Sequence, residues 1–152
     1  MRAKLYIFLV ILFTLNIFNT SADEKLNFLS LKKNKVNVRQ GPSFNYPIKF
    51  IYKKKYLPLI IVDKSDSWRK IKDYENNLGW IHISQLSKIK SVINIKNNAI
   101  LYKKPTIYSK PIAKIESGRL FVIKKCRNTW CKVKSENYIG WVIKSNLWGK
   151  FK

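Results

Sequence analysis

The sequence predicts an all-β protein in which an N-terminal secretory signal precedes two small tandem β-barrels. Three observations support this fold class. The first residues follow the order of a signal: positive charge, apolar core and small polar exit. The rest of the chain lacks sustained helical periodicity and carries short β-branched and aromatic runs between turn residues. A set of landmarks also occurs twice, in the same order.

The N-terminal segment is predicted to direct export. Arg2 and Lys4 precede an apolar run from Leu5 to Leu15, and the small and polar residues that follow end at Ala22. We expect a signal over residues 1–22 that is cleaved near Ala22; the alternative is an uncleaved anchor. The apolar run is shorter than the ~20 residues of a membrane span, and no later run is long enough to cross a bilayer. The mature protein is therefore expected in the periplasm or outside the cell.

Four landmarks recur about 60 residues further along the chain, which predicts two copies of one fold. We place the first domain at residues 26–88 and the second at 92–149, and the run Val92–Ile95 near the join predicts a strand. A domain of about 60 residues buries only about 60 % of the surface of its unfolded chain and is marginally stable, so mutual packing or a covalent link should reinforce each one. The paired landmarks are Pro42-Ser43 with Pro105-Thr106, Pro47-Ile48 with Pro111-Ile112, Trp68–Lys72 with Trp130–Lys134, and Leu78–Ile81 with Ile139–Val142.

Strands are expected in the apolar runs, and turns in the polar segments between them. Residues 63–67 and 127–129 are polar and predict two of these turns. Gly79 and Gly140 each precede a Trp, where the missing Cβ permits a bend or the close approach of another part of the chain. The apolar runs include Leu59–Val62, Trp80–Ile83, Leu120–Ile123 and Trp141–Ile143.

The repeated landmarks resemble a known family. Residues Asn37 to Ser43 read NVRQGPS and resemble the opening of bacterial SH3 (SH3b) domains, whose later landmarks resemble Trp68–Ile71 and Gly79–His82. The chain also resembles an alphaproteobacterial family of exported double SH3-like proteins, for example at Tyr46–Ile48 and Leu147–Gly149. The resemblance implies two SH3-like β-barrels and a location in the cell envelope. Elsewhere, such modules bind cell-wall peptides or act as targeting modules beside wall hydrolases.

The second copy departs from this pattern in its opening loop. Tyr102 and Lys104 occupy the positions that correspond to Arg39 and Gly41. If the opening loop forms a binding site, the second barrel has lost that site or changed its ligand. We therefore expect the binding surface on the first barrel.

The two cysteines are predicted to form an intramolecular disulfide. Cys126 and Cys131 flank a predicted turn, so they are expected to face each other across a hairpin. Export would place them in an oxidising compartment. A metal site is one alternative, but it needs further ligands, and the single histidine, His82, lies in the other repeat. Two free thiols are the other alternative if the chain is not exported.

The sequence predicts a protein that is not an enzyme. A Cys–His nucleophilic pair would need one of the two cysteines, but these are better explained as the partners of one disulfide. His82 is expected as an ordinary strand residue near the surface. No phosphate-binding loop and no Cys/His metal cluster occurs, so no cofactor or metal is expected. The carboxylates of the first repeat are expected in solvent turns rather than as an acid–base pair; they include Asp63, Asp66, Asp73 and Glu75.

The tryptophans of the first repeat are candidate ligand contacts. Since Ile71 should face the core, strand alternation places Trp68 and Lys70 on the other face, where Trp68 is a candidate wall of a groove. Trp80 is predicted either in the core or in the groove.

Two residues of the long first loop complete the candidate site. Tyr46 lies in a loop that the barrel is expected to fold towards Trp68, which would form an aromatic pair. Arg39 suits a bidentate contact with a peptide carboxylate, or equally a clamp within its own loop. Such a site would bind a short peptide through apolar contact and one charged anchor.

Three functions remain open from the sequence. The leading hypothesis is a non-catalytic, exported binding or adaptor protein that recognises a cell-wall peptide or an envelope protein. The alternative is a protein that binds polyanions, anionic surfaces or nucleic acid, because 31 Lys and Arg against 8 Asp and Glu give a net charge of +23. Export argues against a specific nucleic-acid role, and a genome rich in A and T accounts for part of the lysine excess. The third function is a structural adaptor held by another envelope protein.

Overall fold

The computed structural model describes residues 27–151, in which the regular elements are strands and two short 3-10 turns. The predicted signal, residues 1–22, lies outside the described residues. Within the described range, no helix is long and apolar enough to cross a membrane. The first seven strands are β1 (Phe28–Leu31), β2 (Val36–Arg39), β3 (Ile48–Tyr52), β4 (Pro58–Ser65), β5 (Trp68–Lys72), β6 (Leu78–His82) and β7 (Leu86–Ser87). The second seven are β8 (Ser91–Asn94), β9 (Ala99–Tyr102), β10 (Pro111–Ile115), β11 (Leu120–Arg127), β12 (Trp130–Lys134), β13 (Ile139–Ile143) and β14 (Leu147–Gly149).

Each group of seven strands forms one sheet, and the two sheets have the same topology. The strand order is β3-β2-β6-β5-β4-β1-β7 in the first sheet and β10-β9-β13-β12-β11-β8-β14 in the second. All pairs between neighbouring strands are antiparallel, as in a small barrel built from hairpins. The prediction of an all-β protein with two tandem barrels is therefore confirmed.

Equivalent positions of the two repeats fill the two cores. These positions lie on the inward faces of the central strands and exclude water almost completely, which is the main source of stability for a small barrel. The core residues that correspond between the barrels include Val38 with Leu101, Ile71 with Val133, and Ile81 with Val142.

The glycines before the two tryptophans lie in close packing, as predicted. A Cβ built on Gly79 would approach Cγ1 of Val38 to 2.3 Å, and one built on Gly140 would approach Cγ of Leu101 to 2.6 Å. Both neighbours are buried core residues that cannot move aside. Glycine is therefore required at these two positions so that the sixth strand of each barrel can lie against the second.

Three predicted element boundaries are wrong. Arg127, predicted in the turn 127–129, is the last residue of β11. The polar segment 63–67 is not a long turn, because β4 continues to Ser65 and leaves a two-residue turn in which Asp66 has a positive φ of 45°. The pairing of β4 with β5 continues past a register shift, so the polar residues 63–65 still pair with β5 at the end of the hairpin next to the turn. Ile83 begins a 3-10 turn instead of extending β6.

The predicted disulfide is present in the second barrel. Cys126 of β11 lies directly opposite Cys131 of β12, and their Cα atoms are 4.0 Å apart. Asn128 and Thr129 form the turn between them, with Asn128 at a positive φ of 47°. The two barrels therefore differ in that the second hairpin is closed covalently.

Strand β8 joins the two barrels through its buried faces. All four of its residues are buried; Val92 belongs to the core of the second barrel, whereas Ile93 joins that of the first. Leu120 and Trp148 pair with Ile93 across the sheet and pack against the same first-barrel core. The Trp148 ring lies edge-on to Phe28, with centroids 5.1 Å apart. The barrels are thus one packed unit, which supplies the mutual support that small domains need.

Candidate functional site

One face of the first sheet collects most of the candidate residues. The register pairs Trp68 with His82 and Lys70 with Trp80 between β5 and β6, and it pairs Arg39 of β2 with Trp80. Paired residues share a face of a sheet, and alternate residues of a strand return to it. These five side chains therefore lie on the face opposite to the core, as strand alternation predicts for Trp68.

Trp68 is nevertheless only 7 % exposed, because other side chains cover it. Phe44, from the loop between β2 and β3, packs edge-on against the indole with ring centroids 4.9 Å apart. His82 lies 5.4 Å from the Trp68 ring and 5.4 Å from the Phe44 ring. Trp68 is thus the floor of an aromatic cluster whose outer member is Phe44, which is 66 % exposed.

Arg39 holds the loop in place. Its Nη1 donates a hydrogen bond of 2.7 Å to the backbone oxygen of Tyr46, and its guanidinium carbon lies 5.7 Å from the centre of the Phe44 ring. The clamp function considered from the sequence is therefore realised. A guanidinium has five N–H donors, so this bond leaves most of them for another partner.

The expected pair of Tyr46 with Trp68 is wrong, because the ring that packs on Trp68 is Phe44. The Tyr46 ring instead covers Gly41, where an added Cβ would meet it at 2.6 Å. Tyr46 is about half exposed, and its ring packs on the backbone of its own loop at Gly41. Its contribution is to the shape of the loop.

A cleft of about 230 Å³ lies beside the aromatic cluster and is called the Phe44 cleft below. It includes Arg39 and Trp68 of the predicted residues, whereas Tyr46 and Trp80 are not among its lining residues. Trp80 is partly buried on the same face of the sheet. The lining residues are Lys35, Asn37, Arg39, Phe44, Trp68, His82 and Gln85.

Sequence reasoning missed Phe44 and assigned no role to His82. His82 caps the 3-10 turn that follows β6, because its Nδ1 lies 2.8 Å from the Ser84 hydroxyl and accepts from the Ser84 backbone N–H. One signal for Phe44 was present in the sequence. A large apolar residue in a polar opening loop either packs on the barrel or contacts a ligand.

The second barrel lacks an equivalent of this cluster. Trp130 corresponds to Trp68, but its ring packs against Tyr102, the residue at the Arg39 position, with centroids 5.5 Å apart. Ile107 and Ile143 stand at the positions of Phe44 and His82. The second barrel therefore offers no cation at the clamp position and no aromatic ring at the outer position.

The carboxylate of Asp73 has a structural role. It is predicted in a solvent turn, but it is only 3 % exposed, so that part of the prediction is wrong. It shapes the turn between β5 and β6 by accepting from the backbone N–H groups of Glu75 and Asn77, at 3.0 and 2.8 Å. The Tyr52 hydroxyl also donates to it, at 2.8 Å. Burial, followed by this hydrogen bond, raises the pKa of Tyr52 well above its ordinary value.

A metal site is one alternative that the sequence left open for the two cysteines. Across residues 27–151, no group of three or more His, Cys, Asp or Glu side chains is arranged to hold a metal ion. Both cysteines are engaged in the disulfide.

The sequence model of the bacterial SH3 domain matches this chain twice, over residues 32–88 and 95–149. The two matches coincide with the two barrels and together cover well over half of the chain. This chain belongs to the bacterial SH3 domain family. Membership supports a role in cell-wall binding at that general level.

Among solved structures, this chain aligns with two proteins from Trichomonas vaginalis. NlpC2 is 15 % identical over 82 % of this chain with a TM-score of 0.37, and NlpC1 is 14 % identical over 86 % with the same TM-score. This chain spans 48 % of the length of each. No curated protein matches the sequence.

Proposed function

We propose that this protein is a non-catalytic, exported binding protein that recognises a cell-wall peptide through the Phe44 cleft of its first barrel. The observation that carries the proposal is the exposed Phe44 ring, seated on Trp68 and His82 beside a polar cleft. Membership of the bacterial SH3 domain family, whose domains typically bind cell-wall components, supports the class of ligand.

The aromatic cluster is suited to apolar contact with a ligand. Phe44 exposes most of its ring to water, and covering such a ring with a ligand releases free energy in proportion to the apolar area buried. The ring is also held before a ligand arrives, because Trp68 and the Arg39 guanidinium both contact it. A fixed contact surface loses little conformational entropy on binding.

The rim of the cleft provides the polar contacts that a peptide needs. Asn37 and Gln85 carry amide groups that both donate and accept hydrogen bonds, which matches the alternating groups of a peptide backbone. Lys35 and Arg39 place two cations beside the aromatic cluster. A short peptide that ends in, or carries, a carboxylate therefore fits both parts of the cleft.

We propose no catalytic role for His82. Its contact with Ser84 comes from two residues further along the same chain segment and is the cap of a 3-10 turn. A catalytic Ser–His pair requires a base that is oriented by a third group and a reacting centre nearby. The imidazole instead packs against two aromatic rings, which suits a ligand platform.

The test is sedimentation of the protein with purified peptidoglycan at low and moderate salt, followed by titration with a soluble wall peptide. We expect Phe44→Ala to weaken binding of both by roughly tenfold, as for an exposed anchor at the centre of an interface. We expect Ile107→Ala, at the equivalent and similarly exposed position of the second barrel, to have no effect.

Both variants change exposed loop residues, so thermal melts should show that both fold. The same loss in Ile107→Ala, or binding that survives in folded Phe44→Ala and disappears in Trp130→Ala, would place the site on the second barrel. Binding of the native protein that fades steeply with salt would indicate general attraction to polyanions.

A further inference from the structure

A second cleft lies between the two barrels and shares no lining residue with the Phe44 cleft. Its volume is about 710 Å³, within the range of roughly 300–1,000 Å³ that is common for ligand sites. Asn34 and residues 53–56, which follow β3, form its first-barrel side. The turn 116–119 and the nearby ends of β11 and β12 form its second-barrel side. We call it the inter-barrel cleft.

Charge is concentrated in this cleft. Six of its lining residues are Lys or Arg, two are Glu, and all eight are exposed. Both barrels contribute cations, so an anionic group in the cleft would meet positive charge from two sides. The cationic lining residues are Lys53, Lys54, Lys55, Arg119, Lys124 and Lys134, and the acidic ones are Glu116 and Glu136.

The walls of the cleft are held in place by hydrogen bonds to buried backbone and side chains. On the second barrel, buried Asn94 donates from Nδ2 to the backbone oxygen of Glu116 at 2.8 Å, and the backbone oxygen of Asn94 accepts from the Gly118 N–H at 2.8 Å. On the first barrel, the Tyr56 N–H donates to the oxygen of Leu31 at 2.9 Å. The cations therefore extend from a preformed frame, which reduces the entropy lost on binding.

One contact bridges the cleft directly. Lys54 Nζ of the first barrel donates to the backbone oxygen of Gly118 in the second barrel at 3.0 Å. This bond adds to the apolar packing of Ile93 and Trp148 on the first barrel. The separation of the two walls is thus set by the same interface that joins the barrels.

The chemistry of the lining favours an acidic glycan over a nucleic acid. Single-stranded nucleic acids are bound by aromatic platforms on which bases stack. Tyr56 is the one aromatic side chain among the lining residues, and the ammonium group of Lys55 lies 4.9 Å from the centre of its ring. The two glutamates would repel a simple polyanion, but they accept hydrogen bonds from the hydroxyl groups of a sugar.

We propose that the inter-barrel cleft is a second binding site, and that its ligand is an acidic oligosaccharide. The cations contact the anionic groups of the glycan, while Glu116 and Glu136 accept from its hydroxyls. This site is independent of the peptide site proposed above, since its lining shares no residue with the Phe44 cleft. Because both walls take part, binding requires both barrels.

The experiment is calorimetric titration of the full mature chain with oligogalacturonate as the acidic glycan. Maltohexaose serves as a neutral glycan, and a single-stranded oligo-thymidine as a nucleic acid. The cleft variant is Lys53→Glu with Lys124→Glu, one from each wall. The matched control is Lys64→Glu with Lys103→Glu, which makes the same change of net charge at exposed residues outside the cleft.

We expect the native protein to bind oligogalacturonate, and not maltohexaose, with an affinity that falls as salt rises. The cleft variant should lose about tenfold in affinity and part of the salt dependence, while the control retains both. Phe44→Ala should bind the glycan normally, which separates this result from any failure of the peptide site.

Equal losses in the cleft variant and the control would overturn the proposal, because they would show attraction to net charge alone. Absence of glycan binding by the native protein would also overturn it. Tighter binding of oligo-thymidine that depends on Lys53 and Lys124 would replace the glycan with a nucleic acid. If the charge reversals fail to fold, Lys53→Gln with Lys124→Gln provides the same comparison without adding negative charge.

Discussion

At the residue scale, one difference between the two barrels is a buried carboxylate of the first. Asp73 and Tyr52 are joined by a hydrogen bond, and Asp73 also organises the β5–β6 turn. In the second barrel, Ser135 stands at the position of Asp73. Buried Ile115 stands at that of Tyr52, because it pairs with Ala99 as Tyr52 pairs with Val36, so the register lies one residue off the predicted pairing of Pro47 with Pro111. The carboxylate and its hydrogen bond to a tyrosine are therefore absent at these positions. The first barrel therefore depends on one buried carboxylate for the shape of a turn, and the second does not.

Tyr52→Phe should lower the free energy of unfolding by about 1.5 to 3 kcal/mol near neutral pH, because a hydrogen bond to a charged group is lost. Burial and Asp73 raise the pKa of Tyr52 in the folded state, so the folded protein holds the phenolic proton more tightly than the unfolded chain. The excess free energy of unfolding of the native protein over Tyr52→Phe should thus be complete below about pH 10 and decline above it. Urea titrations of both proteins across this range measure the difference; a gap that is constant with pH would contradict the assignment.

Gly79→Ala tests the close approach of β6 to β2. The added Cβ would meet buried Val38, so we expect a loss of about 2 to 3 kcal/mol. Gly118→Ala is the control, because nothing lies within 4 Å of its Cβ position and only the positive φ of 80° opposes the change. This control should cost about 1 kcal/mol. Chemical denaturation ranks the two, and the reverse order would show that the Gly79 contact relaxes easily.

At the scale of elements, the β4–β5 and β11–β12 hairpins reach the same geometry by different means. The register that pairs Cys126 with Cys131 pairs Lys64 with Arg69 in the first barrel. There, Arg69 Nη1 donates to the backbone oxygen of Asp66 in the turn, at 2.7 Å. A side-chain hydrogen bond thus supports the first hairpin where a covalent bond closes the second.

Reduction of the disulfide should destabilise the second barrel by about 2 kcal/mol, since only a short loop is released in the unfolded chain. The double variant Cys126→Ser, Cys131→Ser should have the same free energy of unfolding as the reduced protein, within the error of the measurement. Chemical denaturation with and without reductant measures the effect, and mass spectrometry of the native protein should show the loss of two hydrogens. Free alkylation of both thiols in the native protein would contradict the bridge.

At the scale of the whole molecule, the two barrels share a core boundary. Ile93 belongs to a second-barrel strand but is buried in the first-barrel core, and Leu120 and Trp148 flank it. The inter-barrel cleft opens beside this contact and takes one wall from each barrel. Interface packing and the proposed glycan site therefore depend on the same arrangement.

Trp148→Ala should uncouple the barrels. The change removes the edge contact with Phe28 and part of the cover of the first-barrel core, at a cost of about 3 kcal/mol. We expect the single unfolding transition of the native protein to separate into two, with the first barrel unfolding earlier. Differential scanning calorimetry measures this change. One cooperative transition at an unchanged temperature would show that the interface adds no stability.

The sequence by itself determined what depends on local pattern. Alternation within strand β5 placed Trp68 on the face of the sheet that Ile71 does not occupy, because successive side chains point to opposite faces. The spacing of Cys126 and Cys131 across a turn predicted their pairing, and the repeated landmarks predicted two barrels. Each of these properties is set by residues that are close in the chain or by a pattern that every strand obeys.

Only the tertiary structure decided the direction of the loop and the relation of the barrels. Phe44 rather than Tyr46 packs on Trp68, while Arg39 binds the Tyr46 backbone; no periodicity encodes either contact. The insertion of Ile93 into the neighbouring core likewise joins distant parts of the chain. Such contacts are selected by packing in three dimensions, so the Phe44 cleft and the inter-barrel cleft emerge only once the chain is folded.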